Sequence, residues 1–174
     1  MDEKILFNKH FLASPKKIIA SLRDVLESEK LTNNGPQLFE LENRLSKYFN
    51  VPLSKISTYS NGTIALLIGL KTLNLKGSVL VTPFTFPATV SVLNYLGLDP
   101  IFCDIDEETL CISPLEIEKN YDTTCSAIMG THVYGNLCDV NSIQSFAKKK
   151  KLKTIYDAAH TFAVKKNGKS VISN

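Results

Sequence analysis

Glycine and proline are scarce in this sequence, and their scarcity excludes several classes of protein. The 174 residues include only 8 Gly and 7 Pro, too few for a collagen-like or low-complexity chain. Hydrophobic residues make up 44% and charged residues 21%, a balance that excludes wholesale disorder. Composition therefore indicates a globular protein of about one domain's length and points to no particular function.

Cysteine is sparse as well, and its spacing excludes the common metal and redox motifs. No two of the four cysteines form a C-x-x-C pair, so zinc and thioredoxin-type sites have no support and we predict no metal centre. The four are Cys103, Cys111, Cys125 and Cys138. We interpret them as reduced, ordinary thiols of a cytoplasmic protein.

Long apolar runs and clustered arginines are missing too. The N-terminus lacks the basic start and apolar run of a signal peptide, and no stretch approaches the roughly 20 apolar residues of a membrane span. The net charge is +3 and there are only two arginines, Arg23 and Arg44. Four lysines at 148–151 close a predicted helix, where cations complement the helix dipole. We therefore predict no membrane and no nucleic-acid partner.

The hydrophobic pattern predicts an α/β fold with a mostly parallel sheet and helices on both faces, because its strands are apolar without period-2 alternation. Two amphipathic helices come first, the earlier one opened by Ser14 and Pro15. Residues 64–70 are apolar on every face, which predicts a fully buried helix. The predicted strands are 56–60, 79–81, 101–104, 127–131 and 154–157, and the other predicted helices are 88–96, 114–119 and 143–150.

A β-hairpin is predicted after the last of these strands. Asn167 and Gly168 form the dipeptide typical of a type I′ turn, flanked by the segment 163–171. An α/β sheet that ends in such a hairpin indicates an incomplete domain, and we interpret the sequence as part of a longer one.

Polar residues follow the predicted strands, where ligands of open α/β sheets bind. Asn61, Gly62 and Thr63 lie between a strand and a helix, where free backbone N–H groups and the helix dipole favour a phosphate. The same residues would also serve as an ordinary helix cap. The P-loop and the Rossmann glycine motifs are missing from the sequence.

Asp157 ends an apolar strand and is followed three residues later by His160. A carboxylate there needs a cation or several donors. The protonated ring nitrogen of pyridoxal 5′-phosphate (PLP) is one such cation. A metal held by Asp157, His160 and His132 is an alternative that lacks further spaced ligands, and a helix cap beside a surface histidine is another. Similarly, Phe86 at the end of an earlier strand could pack in the core or stack on a planar cofactor.

Taken together and in this order, these motifs resemble the DegT/StrS sugar aminotransferases, which are PLP-dependent enzymes of fold type I. The resemblance runs from about Leu31 to Asn174 and rests on seven pieces at the family's spacing. They are T-N-N-G-P at 32–36, N-G-T at 61–63, T-P-F-T-F-P-A-T at 82–89, Y-L-G at 95–97, F-C-D-I-D at 102–106, T-H-V-Y-G at 131–135 and Y-D-A-A-H at 156–160.

The resemblance implies a role for each residue of a PLP site. Gly62 and Thr63 would bind the phosphate, although the family more often has Ser-Gly-Thr where this sequence has Asn61 first. Phe86 would stack on the pyridine ring, Asp157 would pair with its nitrogen, and His160 would contact its phenolic oxygen. Asp157 and His160 are thus the implied catalytic residues.

The resemblance also implies the substrates and the assembly. Family enzymes transfer an amino group, commonly from glutamate, to a keto sugar carried on a nucleotide, and they act as homodimers. Asn34, Gly35, His132 and Tyr134 would line the site toward the substrate and the partner subunit. Residues 1–30 would then be an N-terminal helical segment and residues 31–174 a partial PLP-binding large domain.

The family's cofactor-binding lysine has no match in the sequence. Lys165, Lys166 and Lys169 belong to the predicted hairpin, and the matching segment would follow Asn174. We therefore expect no transaminase activity from these 174 residues alone. The alternatives are a non-catalytic remnant of the family, a dehydratase relative in which histidine replaces the lysine, and an unrelated α/β nucleotide-binding module.

Overall fold

The computed structural model describes residues 12–166, 168–170 and 172. The chain forms two compact units, one that ends at Ser57 and one that begins at Thr58. The division predicted between residues 30 and 31 falls inside the first unit.

The first unit contains two helices and a 3-10 turn. Helix α1 spans Pro15–Glu27, helix α2 spans Pro36–Phe49, and the turn spans Leu53–Lys55. Each helix starts with proline at its first position, where the missing N–H costs nothing. Both predicted helices of this region are confirmed.

The second unit is built on a parallel sheet of four strands, in the order β2-β1-β3-β4. Its strands are β1 (Ser78–Val81), β2 (Asp99–Phe102), β3 (Cys125–Thr131) and β4 (Lys153–Asp157). Its helices are α3 (Gly62–Thr72), α4 (Pro87–Tyr95), α5 (Pro114–Asn120) and α6 (Val140–Lys150). The predicted α/β class and parallel sheet are confirmed.

Two apolar clusters cover the two faces of this sheet, because successive strand residues point to opposite sides. Leu80 and Ile128 pack with residues of α5 and α6, among them Ile117 and Ile143. Their strand neighbours pack on the other face with residues of α3 and α4; these neighbours are Val79, Val81, Ala127 and Met129. The sheet is thus buried between two helical layers. None of the described helices is both long and apolar enough to cross a membrane.

A short antiparallel hairpin follows β4. Its strands are β5 (Lys165–Lys166) and β6 (Lys169–Ser170), and Lys166 pairs with Lys169 across a two-residue loop. Gly168 has the positive φ of 78° that such tight loops require. The predicted hairpin is confirmed, whereas Asn167 and Val171 lie outside the described residues.

Two predictions of local structure are wrong. Residues 56–60 form no strand, since they pair with none of the described strands, and a strand exists only with a partner. Helix α3 forms as predicted but is not fully buried: Leu70 is buried, whereas Ile64 and Ile68 are 37% and 36% exposed. One face of α3 packs on the sheet cluster, and its other face remains accessible.

Candidate functional site

A cavity of about 280 Å³ opens at the carboxyl ends of β1, β3 and β4. Three loops surround it: the β1–α4 loop, the segment after β3, and the segment after β4. This is the edge at which α/β sheets bind ligands. The lining includes five of the residues predicted from the sequence as cofactor or substrate contacts, namely Phe86, His132, Tyr134, Asp157 and His160.

The sheet register fixes the position of Asp157. Thr131 of β3 and Asp157 of β4 are direct partners, and the His132 N–H donates to the Asp157 carbonyl at 2.9 Å. Strand alternation puts both side chains on the face that also carries Met129 and Ile155. The carboxylate therefore lies on the side of the sheet covered by α4.

Two hydrogen bonds orient the Asp157 carboxylate. The Thr89 hydroxyl donates to Oδ2 at 2.9 Å, and the Ala159 N–H donates to Oδ1 at 3.1 Å. Each carboxylate oxygen retains acceptor capacity after one such bond. The group can thus accept a further hydrogen bond from a cationic ligand in the cavity.

Three threonines extend this network, and sequence reasoning did not identify them as site residues. Thr85 Oγ1 lies 2.9 Å from Thr89 Oγ1 and 2.9 Å from Thr131 Oγ1. Thr85 lies in the loop before α4, Thr89 lies four residues later in its first turn, and Thr131 ends β3. That spacing is visible in the sequence, but the link to Asp157 depends on which strands are adjacent.

Phe86 lies at the cavity mouth, immediately before α4, and its side chain is 68% exposed. So large an exposure excludes the alternative that it packs in the core. Phe84 also lines the cavity and meets the ring of Tyr134 edge-on, with centroids 6.4 Å apart. The cavity thus offers aromatic surface to a planar ligand.

Tyr134 and His160 form a stacked pair in the lining of the cavity. Their rings are 5.5 Å apart with an interplanar angle of 7°. The Tyr134 N–H points to His160 Nδ1 at 3.5 Å, which makes Nδ1 the acceptor and assigns the proton of a neutral ring to Nε2. His160 thus has an N–H donor to offer a ligand. The backbone of Tyr134 has a positive φ of 51°, a conformation that non-glycine residues adopt at a cost.

His132 differs from the exposed rings of Phe86, Tyr134 and His160 because it is only 3% exposed. Its ring stacks on Tyr156 at 5.1 Å, and its Nδ1 accepts the Cys138 N–H at 3.0 Å. Tyr156 is itself buried enough that desolvation raises its pKa, and its hydroxyl has no partner among the described residues. His132 therefore packs in the wall of the site. No group of three metal-ligating side chains occurs within the described ranges.

Gly62 and Thr63 lie in the first turn of α3 and are exposed, but they do not line the cavity. Asn61 is the helix cap, and its side-chain oxygen accepts the Ile64 N–H at 3.0 Å. A Cβ built on Gly62 would meet nothing within 4 Å, so the space beside this turn is open. The first N–H groups of α3 are those that a helix leaves unpaired, and they suit an anion.

Asn34 and Gly35 belong to the first unit, in the turn that precedes α2. Asn34 has a positive φ of 58°, and the Gly35 carbonyl accepts the Leu38 and Phe39 N–H groups. The two residues precede the helix, with Gly35 as its N-cap, and their predicted role toward substrate remains a prediction.

The comparison with known proteins identifies the family. Residues 13–173 match the model of the DegT/DnrJ/EryC1/StrS aminotransferase family. The chain belongs to this family. The family resemblance predicted from the seven sequence motifs is confirmed.

Sugar aminotransferases are among the similar proteins. The dTDP-4-amino-4,6-dideoxy-D-glucose transaminase of Shigella dysenteriae is 40% identical over 172 residues, which are 99% of this chain and 46% of that protein. The GDP-perosamine synthase of Escherichia coli O157:H7 is 34% identical over 86% of this chain and 41% of its own length. The chain thus spans about half the length of these curated relatives.

A solved structure supports the fold as well. The NtdA protein of Bacillus subtilis, solved with bound cofactor PMP, is 34% identical to this chain with a TM-score of 0.73, over 82% of this chain and 33% of that one. The chain therefore shares its fold with that protein over the matched region.

Proposed function

We propose that this chain forms the cofactor-binding part of a PLP-dependent aminotransferase that acts on a nucleotide-linked keto sugar. The observation that carries the proposal is Asp157, a carboxylate fixed at both oxygens at the end of β4, in a cavity lined by Phe86 and His160. Its acceptor capacity toward the cavity matches the protonated ring nitrogen of PLP.

The residues present fit the other parts of the cofactor. Phe86 offers an exposed ring for stacking on the pyridine, and the Nε2 proton of His160 suits the phenolic oxygen. The open first turn of α3, at Gly62 and Thr63, suits the phosphate, with the Thr63 hydroxyl as one more donor. When bound, the cofactor supplies a protonated ring that accepts the electron pair left when the amino donor loses its Cα proton.

Each of the site residues then has a defined task. Asp157 holds a proton on the ring nitrogen, because its negative charge favours the cationic ring. Phe86 fixes the plane of the ring, and Tyr134 fixes the plane of the His160 imidazole by stacking on it. We assign the substrate side of the cavity to Tyr134, whose ring is exposed.

The substrate class follows from the relatives. One is named for a dTDP-linked dideoxy sugar and another for GDP-perosamine, so we propose a sugar nucleotide as the amino acceptor. Glutamate is the proposed donor, as the family resemblance implies. We also propose that the complete enzyme is a homodimer.

Equilibrium binding of pyridoxine 5′-phosphate tests this proposal, since that ligand lacks the aldehyde that would label surface lysines. We expect Asp157→Asn to weaken its binding about tenfold or more, the usual effect of losing a charged hydrogen bond. The matched control is Asp106→Asn, an exposed aspartate whose partners are the Thr109 N–H and hydroxyl. Equal affinities in the wild type and Asp157→Asn would overturn the proposal.

A further inference from the structure

The chain of threonine hydroxyls that leads to Asp157 has a single direction. The Thr89 hydroxyl donates to Asp157 Oδ2, and the Thr85 hydroxyl donates to Thr89 Oγ1. A hydroxyl has one proton to donate, so the contact between Thr85 and Thr131 requires Thr131 as the donor. Three hydroxyl protons in succession thus point toward one carboxylate.

Burial protects this series of threonine hydroxyls from water. Thr89 is 0% exposed and Thr131 is buried, while Thr85 is half-buried at the cavity wall. A buried hydroxyl without a partner is costly, and the bond from Thr89 to Asp157 satisfies a hydroxyl that water does not reach. Hydrogen bonds in series also polarise one another, which strengthens the last bond in the chain.

The three hydroxyls join elements that surround the cavity. Thr85 lies in the β1–α4 loop beside Phe86, Thr89 lies in the first turn of α4, and Thr131 ends β3 next to Asp157. The loop that carries the aromatic ring is thus tied to the strand that carries the carboxylate.

We propose that Thr89, supported by Thr85 and Thr131, is the positioning residue for Asp157. Its hydroxyl holds Oδ2 while the Ala159 N–H holds Oδ1, so the carboxylate presents its remaining acceptor sites to the cavity in one orientation. This inference rests on the proposed function, because it concerns how Asp157 meets the ring nitrogen. Thr89 acts through Asp157 and does not itself contact the cofactor.

A pair of probes separates this role from a purely structural one. The first is pyridoxine 5′-phosphate, and the second is its analogue with CH in place of the ring nitrogen, which cannot pair with Asp157. The ratio of their affinities measures how well the Asp157 carboxylate is oriented toward the ring nitrogen. A general loss of packing would weaken both ligands alike and leave the ratio unchanged.

We expect the wild-type chain to favour the first probe. Thr89→Val, which removes the hydroxyl at nearly constant shape, should reduce the preference about tenfold, as expected for loss of one hydrogen bond to a charged group. Thr89→Ser keeps the hydroxyl and should restore the preference. The matched control is Ser91→Ala on the same helix, where the hydroxyl bonds only to the Pro87 carbonyl.

The outcomes are distinguishable. A wild-type preference that survives unchanged in Thr89→Val would overturn this inference alone. A wild-type chain that binds the first probe without preference would overturn the proposed role of Asp157, and this inference with it.

Should Thr89→Val fail to fold, Thr85→Val removes the next hydrogen bond in the series without contacting the carboxylate. We expect it to reduce the preference by a smaller factor, and an unchanged preference there would again overturn the inference.

Discussion

At the scale of single residues, Gly130 shows how tightly the wall behind the site is packed. A Cβ built there would lie 3.1 Å from both Cys138 Sγ and Tyr156 Cδ1, with the Tyr156 ring held by its stack on His132. We expect Gly130→Ala to lower the free energy of unfolding by about 1–3 kcal/mol, the usual cost of overpacking a core. Chemical denaturation measures it.

Gly69 is the matched control for this substitution. It lies within α3, and a Cβ there would meet nothing within 4 Å. Alanine in a helix interior is favoured over glycine by roughly 0.5–1 kcal/mol, so Gly69→Ala should leave stability unchanged or raise it. If both variants lost the same stability, the packing explanation for Gly130 would be wrong.

At the scale of secondary structure, the cap of α6 gives the protein a pH-dependent contribution to stability. Asp139 accepts the Ser142 hydroxyl and N–H, and these bonds lower its pKa below the usual value for aspartate. A lowered pKa means that the cap stabilises the fold above the unfolded pKa and that this contribution is lost as pH falls through the folded one. Asp139→Ala should therefore lower the free energy of unfolding by about 0.5–2 kcal/mol at neutral pH.

That cost should shrink at an acidic pH below the lowered pKa of Asp139, where the wild-type carboxyl is itself protonated. Asp139→Asn is the control, because asparagine caps as well as aspartate but does not titrate. Unfolding free energies measured at both pH values decide the matter. A loss in Asp139→Ala that is equal at the two pH values would rule out the charged cap as its cause.

At the scale of the whole molecule, the accessible face of α3 is one surface available for self-association. Ile64 and Ile68 are one helical turn apart, and both remain exposed on a helix that is apolar nearly all round. We expect Ile68→Lys to shift the sedimentation of the chain toward the monomer. Leu115→Lys is the control, at an exposed leucine on α5; an equal shift in both variants would show that α3 has no special part in association.

The sequence was sufficient to predict the helices, the parallel sheet and the acidic end of β4, because each leaves a local signature of period, cap or turn. Residues 56–60 were mispredicted as a strand because composition alone cannot supply a pairing partner. The exposed face of α3 was not predicted for a similar reason: the sequence of an apolar helix does not show which of its faces packs against other elements. The threonine chain depends on Thr131 and Asp157 being neighbours, which only the strand order decides.

We propose that Asp157 keeps the ring nitrogen of a bound cofactor protonated. The most direct measurement is the ¹⁵N chemical shift of ring-labelled pyridoxine 5′-phosphate bound to the chain, followed as a function of pH. In the wild type the protonated form should persist to higher pH than in the free ligand, and in Asp157→Asn that extension should disappear. A bound ring nitrogen that titrates in the wild type as it does in free solution would contradict the account.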